Sequence, residues 1–259
     1  MTAPTDDHAF AAWLAEQAGA RLLEVRRTSG LSGKELKDAG DAAAQTLLAE
    51  LLAEHRPADA VLSEESAETH TDTGRLSAER VWIIDPLDGT REFSEPPRDD
   101  WAVHVALWQH GALVAGAVAQ PALGETFSTG RPPVVPPSSS TRVRIAVSRS
   151  RPPAFVAALA EALDAELVPM GSAGVKMMSV VRDVADAYVH AGGQYEWDSA
   201  APVAVAAAAG LFTSRGDGSP LVYNRPDPYL PDVIVCRPEL AAPILGHLDQ
   251  QRIADHGTD

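Results

Sequence analysis

The chain has 259 residues, with 36 Asp and Glu against 21 Lys and Arg and a formal net charge of −15, which excludes general attraction to long nucleic acid or an anionic membrane face as a mode of binding. The length suffices for a full core, as one large domain or two interlocked lobes, and the one cysteine, Cys236, excludes an internal disulfide and reads as a small core residue. No apolar run reaches about eighteen residues and the N-terminus from Met1 to His8 is polar and acidic, so neither a membrane span nor a secretory signal is predicted and a cytoplasmic protein is expected.

Thr5 is placed to cap a helix running to about Arg27, with Phe10, Leu14, Ala18, Leu22 and Val25 at helical spacing. Thr28 to Asp41 breaks that pattern with Gly30, Gly33 and Gly40 and reads as a charged loop. A second helix from about Asp41 to His55 turns Leu47, Leu48, Leu51 and Leu52 inward and puts Asp41 at its start, where an N-cap is the commonest role. Ala60-Val61-Leu62 predicts a short strand ending in Ser63-Glu64-Glu65-Ser66. After a polar excursion from Ala67 to Glu79, Val81-Trp82-Ile83-Ile84 predicts a strand covered on both faces. Pro86 is expected to end its pairing and Gly89 to permit a tight turn.

Trp101 to Trp108 and Ala112 to Ala119 predict a hairpin, and Glu125 to Ser128 a further strand. Arg131 to Thr141 holds four prolines and three serines and marks the junction between an N-terminal α+β lobe, residues 1–130, and a C-terminal α/β lobe, residues 142–259. Strand and helix then alternate: strand at Val143 to Val147, helix at Pro152 to Leu163, strand at Glu166 to Val168, a helix opened by Gly171 to Lys176, and a strand at Ala187 to Val189 ending before Gly192-Gly193. An Ala-rich helix begins near Asp198 and stops at Gly210. Strands near Leu211-Phe212, Leu221 to Tyr223 and Val233 to Val235 and a helix from about Pro238 to Gln251 complete the chain.

Carboxylates gather at the ends of these elements: Glu64 after one strand, Asp85 and Asp88 after the next, Asp198 at a helix start. Asp85 and Asp88 repel unless a cation lies between them, although Asp, Pro and Gly are also ordinary turn residues. Oxygen ligands without a nearby His or Cys favour Mg²⁺ or Mn²⁺ over zinc, and the carbonyl of Leu87 adds another hard donor. None of the eight histidines forms a close ligand pair, so they read as core or surface groups. Gly89 and Thr90 offer backbone N–H groups and a hydroxyl to a phosphate. A phosphoryl group bridging two cations is open to in-line attack by water, with Thr90, oriented by Glu64 or Asp41, helping to activate it.

Asp85-Pro86-Leu87-Asp88-Gly89-Thr90 resembles the metal motif of the inositol monophosphatase superfamily, and Trp197-Asp198-Ser199-Ala200-Ala201 resembles its second signature. Glu64 matches the family's glutamate, and Gly171-Ser172-Ala173 its substrate-side turn. Only Asp41 is matched in the segment where the family has Val-Thr-x-Ala-Asp, and the turn to Lys176 is one residue longer than in many relatives. Arg91-Glu92-Phe93 and Leu221-Val222-Tyr223-Asn224 are similar to the CysQ-type 3'(2'),5'-bisphosphate nucleotidase branch.

The resemblance implies an α+β fold, a layered αβαβα sandwich of two interlocked lobes. It implies Mg²⁺-dependent, lithium-sensitive removal of the 3'-phosphate of adenosine 3',5'-bisphosphate to give AMP, with 3'-phosphoadenylyl sulfate as a second substrate. It places Glu64, Asp85 and the Leu87 carbonyl on a first ion, Asp85, Asp88 and Asp198 on a second, and Glu64 beside a third. Gly89 and Thr90 are implied at the scissile phosphate, Arg151 at the base or a phosphate, and Ser172 and Lys176 toward the second phosphate. The bland roles of Arg151 and Lys176 are solvated surface cations, and Glu65, Tyr195 and Glu196 read equally as supporting or surface residues. A homodimer is a candidate assembly. The competing readings are an inositol monophosphatase or fructose 1,6-bisphosphatase and an inactive metal-dependent binding protein; the intact set Glu64, Asp85, Asp88, Thr90 and Asp198 argues against the last.

Overall fold

The computed structural model describes residues 2–64, 73–150 and 152–256. Helix α1 spans Asp7–Thr28 and is capped by Asp6, whose side chain accepts from Ala9 N at 2.9 Å. The cap therefore lies one residue after Thr5. Helix α2 spans Gly33–His55, so the expected charged loop is its first two turns and Asp41 lies inside the helix rather than at its start. Gly40 does not break α2 because it is buried where the helix crosses Leu87 and the Phe93 ring, a place without room for a side chain.

Two five-stranded sheets follow. In the first, β1 (Ala60–Ser63) runs parallel to β2 (Arg80–Asp88), and β3 (Ala102–Gln109), β4 (Ala112–Gln120) and β5 (Glu125–Ser128) continue antiparallel in that order. Pro86 does not end β2: the strand continues to Asp88, paired with Ala102, across an irregularity between Asp85 and Asp88 that absorbs the missing donor. A short helix, α3 (Thr90–Phe93), follows at once. The second sheet, in the order β7-β6-β8-β10-β9, comprises β6 (Arg144–Ser148), β7 (Glu166–Met170), β8 (Ala187–Tyr195), β9 (Phe212–Ser214) and β10 (Tyr229–Cys236). Strand β8 runs through Gly192-Gly193 to Tyr195 because β10 pairs with it on both sides of the glycines, which lie at an irregularity in the register. Leu221 to Tyr223 forms no strand; Tyr223 is buried, with its hydroxyl 3.2 Å from Ser199 Oγ.

Alternation along the strands sorts the core into layers. Trp82, Ile84, Val103, Val105 and Leu107 face α1 and α2. Val81, Ile83, Ala102 and Ala106 face the other way, onto α5 (Ala173–Val181) and α6 (Glu196–Ala208), which also meet Ala146, Tyr188, Val233 and Val235 of the second sheet. Ile145, Val147, Ala187, Val189, Ile234 and Cys236 face α4 (Ala154–Ala162) and α7 (Ala241–His256). The result is the expected αβαβα sandwich. The Pro/Ser-rich segment between the sheets is held by hydrogen bonds: Arg237 donates to Pro136 O at 2.9 Å, and Ser138 Oγ to Asp186 at 2.9 Å. Among the described residues, no helix is long and apolar enough to cross a membrane.

Candidate active site

The C-terminal end of β2 meets the N-termini of α5 and α6 between the two sheets. Asp85 and Asp88, at the irregularity of β2, and Asp198, in the first turn of α6, bring carboxylate oxygens within 4.8 Å of one another. Asp85 is buried and accepts from Leu87 N at 3.0 Å, so the backbone of its own turn holds it. Burial and the negative charges of Glu64, Asp88 and Asp198 push its pKa well above the usual carboxylate range. Asp198 Oδ2 accepts from Tyr195 N at 2.6 Å. Burial, then Asp88, pushes its pKa up to about 6.

Asp88 is treated differently. It accepts from Ser172 Oγ at 2.5 Å, Ala173 N at 3.1 Å and Gly174 N at 2.7 Å, all from the start of α5. His104 Nε2 on the neighbouring strand lies 3.2 Å away. Burial raises the pKa of Asp88, but His104, Lys176 and Ser172 together outweigh that and hold it below the usual range. Two glycines make the approach possible. Gly89, at φ 85°, turns the chain where a Cβ would press on Ser172, Asp100 O and Trp101 Cα. At Gly174 a Cβ would collide with the His104 ring. Ser172 itself sits at φ 53°, a backbone strain kept where its hydroxyl joins Asp88 to Val175 N, which donates to it at 3.0 Å.

The donor set fits a hard divalent cation: clustered carboxylates without thiolates, Asp85 and Asp198 among them pushed toward protonation by burial and then by the negative charge of their neighbours. Glu64 lies at the end of β1 and acts on Asp85 through its charge. Leu87 is fully buried, while Gly89 and Thr90 are half-buried at the start of α3. A cleft of 460 Å³ opens from Asp88 and Asp198 along the second lobe, past Ser172, Lys176 and Tyr188 to Tyr195. Lys176 is buried, its Nζ donating to Ser172 O at 2.6 Å, and burial lowers its pKa. The structure thus brings Asp85, Asp88, Asp198, Ser172 and Lys176 together. Asp41 stands inside α2, and Arg151 and Glu65 lie outside the described residues.

His104 is a core group, as read, but it also faces the carboxylate cluster. It is fully buried, with Nδ1 3.1 Å from Trp197 O and Nε2 facing Asp88. A signal was present: it interrupts the apolar run of a strand that had to pair with the aspartate strand. Arg149 and Asp100 carried no such signal. Arg149 reaches back to Glu92 and Glu95 just after the motif, at 2.6 Å each. Asp100 accepts from Gly171 N at 2.6 Å. Asp100 thereby ties the first sheet to the turn that holds Asp88, and Arg149 ties the end of β6 to α3 and the residues after it.

Residues 7–252 match the model of the inositol monophosphatase family. A 3'-phosphoadenosine 5'-phosphate phosphatase of Mycobacterium tuberculosis (strain CDC 1551 / Oshkosh) is 51% identical over 241 residues, 88% of each chain. The 3'(2'),5'-bisphosphate nucleotidase CysQ of Escherichia coli (strain K12) is 33% identical over 204 residues, 74% of this chain and 81% of its own. Among solved structures, CysQ from Bacteroides thetaiotaomicron superposes with a TM-score of 0.73 at 26% identity, over 88% of this chain and 96% of that one.

Proposed function

The chain belongs to the inositol monophosphatase family, and from that premise we propose that it hydrolyses the 3'-phosphate of adenosine 3',5'-bisphosphate to AMP, with 3'-phosphoadenylyl sulfate as a second substrate. The observation that carries the reading is the cleft: buried carboxylates at its floor and a buried lysine beside them suit a substrate with one phosphate to be cleaved and another to be held. The 51% identical relative supports the nucleotide over other phosphate esters.

Glu64, Asp85 and the Leu87 carbonyl would hold one Mg²⁺, Asp85, Asp88 and Asp198 a second, and Glu64 would flank a third; Mn²⁺ has the same ligand preferences. When bound, the cations neutralise the phosphate and acidify water in contact with them. The chain's own groups do the rest. Gly89 and Thr90 offer an N–H and a hydroxyl to the scissile phosphate, and Thr90, with Glu64 and Asp41, orients the attacking water and takes its proton. The water oxygen forms the new bond to phosphorus as the bond from phosphorus to the 3'-oxygen breaks, and the 3'-oxygen takes up a proton from solvent while the proton of the attacking water is released in turn. Ser172, bonded to Asp88, fixes the wall beside the leaving group, while Lys176 and Arg151 meet the second phosphate and the base. A cytoplasmic enzyme, with a homodimer as candidate assembly, completes the proposal.

Mg²⁺-dependent phosphate release from adenosine 3',5'-bisphosphate, inositol 1-phosphate and fructose 1,6-bisphosphate, measured in parallel, tests it. The bisphosphate nucleotide is expected to give the highest kcat/KM; preference for either sugar phosphate overturns the reading.

A further inference from the structure

Tyr195 is the last residue of β8 and has no place in the carboxylate cluster, yet it lines the same cleft. The residue is 46% exposed, an expensive place for an aromatic side chain that serves only packing. One face is covered: the Trp197 ring lies parallel to it, with centroids 4.7 Å apart and planes 9° apart, and Trp197 is itself buried. Its cross-strand partner Tyr229 stands against it at 83°, with centroids 6.1 Å apart. Two neighbours therefore hold the ring while the residue stays partly exposed in the lining of the cleft. The backbone N–H of the same residue donates to Asp198 at 2.6 Å, tying the position of the ring to the carboxylate cluster. Val147 and Pro153 add apolar surface to the lining of the same cleft.

We infer that Tyr195 is the stacking platform for the base of the nucleotide, held rigid by Trp197 and Tyr229; the inference rests on the nucleotidase reading above. A preordered ring loses little entropy on binding, and stacking of a base on an aromatic side chain is worth about 1–3 kcal/mol, or roughly a 5- to 150-fold change in affinity. The contribution comes from the π-face, so the hydroxyl is dispensable. Tyr195 selects the base and takes no part in bond breaking.

The experiment compares AMP with ribose 5-phosphate, which keeps sugar and phosphate but lacks the base, by calorimetry on the Mg²⁺-loaded protein. The wild type is expected to bind AMP more tightly. Tyr195→Ala should weaken AMP by about tenfold and ribose 5-phosphate by less than twofold, whereas Tyr195→Phe should keep AMP within about threefold. With adenosine 3',5'-bisphosphate as substrate, the Ala variant should raise KM more than it lowers kcat. An equal AMP to ribose 5-phosphate ratio in wild type and Ala variant overturns the inference, as does a loss in the Phe variant as large as in Ala. A wild-type protein that shows the Tyr195-dependent preference for AMP without hydrolysing the bisphosphate refutes the proposed reaction and leaves the platform standing.

Discussion

Two clusters of buried charge divide the molecule, and they are built on opposite terms. At the back of the second sheet, Asp183 and Asp186 face Arg144 and Arg237: Arg144 reaches Asp183 at 2.5 Å and Asp186 at 3.0 Å, Arg237 the same pair at 2.7 and 2.9 Å. Each anion there has a cation, and despite burial, hydrogen bonds from Ser139 and Arg144 hold Asp183 down to about 2. At the end of β2, Asp85, Asp88 and Asp198 face one another with Glu64 nearby, and Asp198 is pushed up to about 6. Carboxylates are thus structural where the protein supplies each a countercharge, and form a candidate cation site where the surrounding charge is mostly negative, as at Asp85 and Asp198.

The largest effect should come from erasing that asymmetry. Asp88→Asn, or Asp198→Asn, removes a charge from the cluster and should lower turnover by a factor on the order of 10³, since several kcal/mol of transition-state charge stabilisation depend on it. The unfolding midpoint without metal should hold or rise for Asp198→Asn, where repulsion is relieved, and fall for Asp88→Asn, which removes a charge that Ser172, His104 and Lys176 stabilise. Steady-state rates and thermal melts check both halves, and a variant with full activity would remove its residue from the site.

Arg144→Met tests the balanced cluster. Breaking a buried pair from one side costs about 3–5 kcal/mol, so urea unfolding should show a loss of that size while kcat stays within twofold. A smaller loss would mean that Arg237 alone neutralises both aspartates.

Acid and base should then pull the two clusters apart. Asp198, raised in the folded state, binds more protons there than in the unfolded chain between about pH 4 and 6. Its contribution is therefore complete below pH 4 and lost as pH rises through 6, about 2–3 kcal/mol in the metal-free protein. Asp183, held low, contributes above about pH 4 and loses that contribution as pH falls toward 2. Urea melts in chelator at pH 4.5, 5.5 and 7 should show stability falling with pH, and added Mg²⁺ should remove the fall at pH 7. Flat melts across that range would contradict the repulsion. In the smallest effect, Mg²⁺ binding should release more protons at pH 6 than at pH 8, read from calorimetry in two buffers of different ionisation enthalpy.

Much of this was readable before any coordinates. Val81 to Ile84 ending in two aspartates announced both a two-faced strand and a charge concentration, and the family signatures at Asp85 to Thr90 and Trp197 to Ala201 carried the layered fold with them. What failed was local. Pro86 and the paired glycines of β8 looked like strand breaks, but partner strands continued past them, and pairing is a tertiary fact. Gly40 looked like loop because its reason lies in the Phe93 ring, far along the chain. His104, Arg149 and Asp100 act across lobes, a relation that periodicity cannot express.

The bond from α5 to Asp88 has a consequence for changing what the protein accepts. Ser172 and Ala173 line the cleft and, with Gly174, hold a carboxylate of the first sheet. Redesign of that turn for a new ester therefore perturbs the reaction centre in the same stroke, and gains in preference there will be read as losses in rate. Strand β8 also lines the cleft, but apart from the Tyr195 N–H its contact with the site is through side chains that can be exchanged. It is there, rather than at the conspicuous serine turn, that selectivity can be altered without dismantling the chemistry.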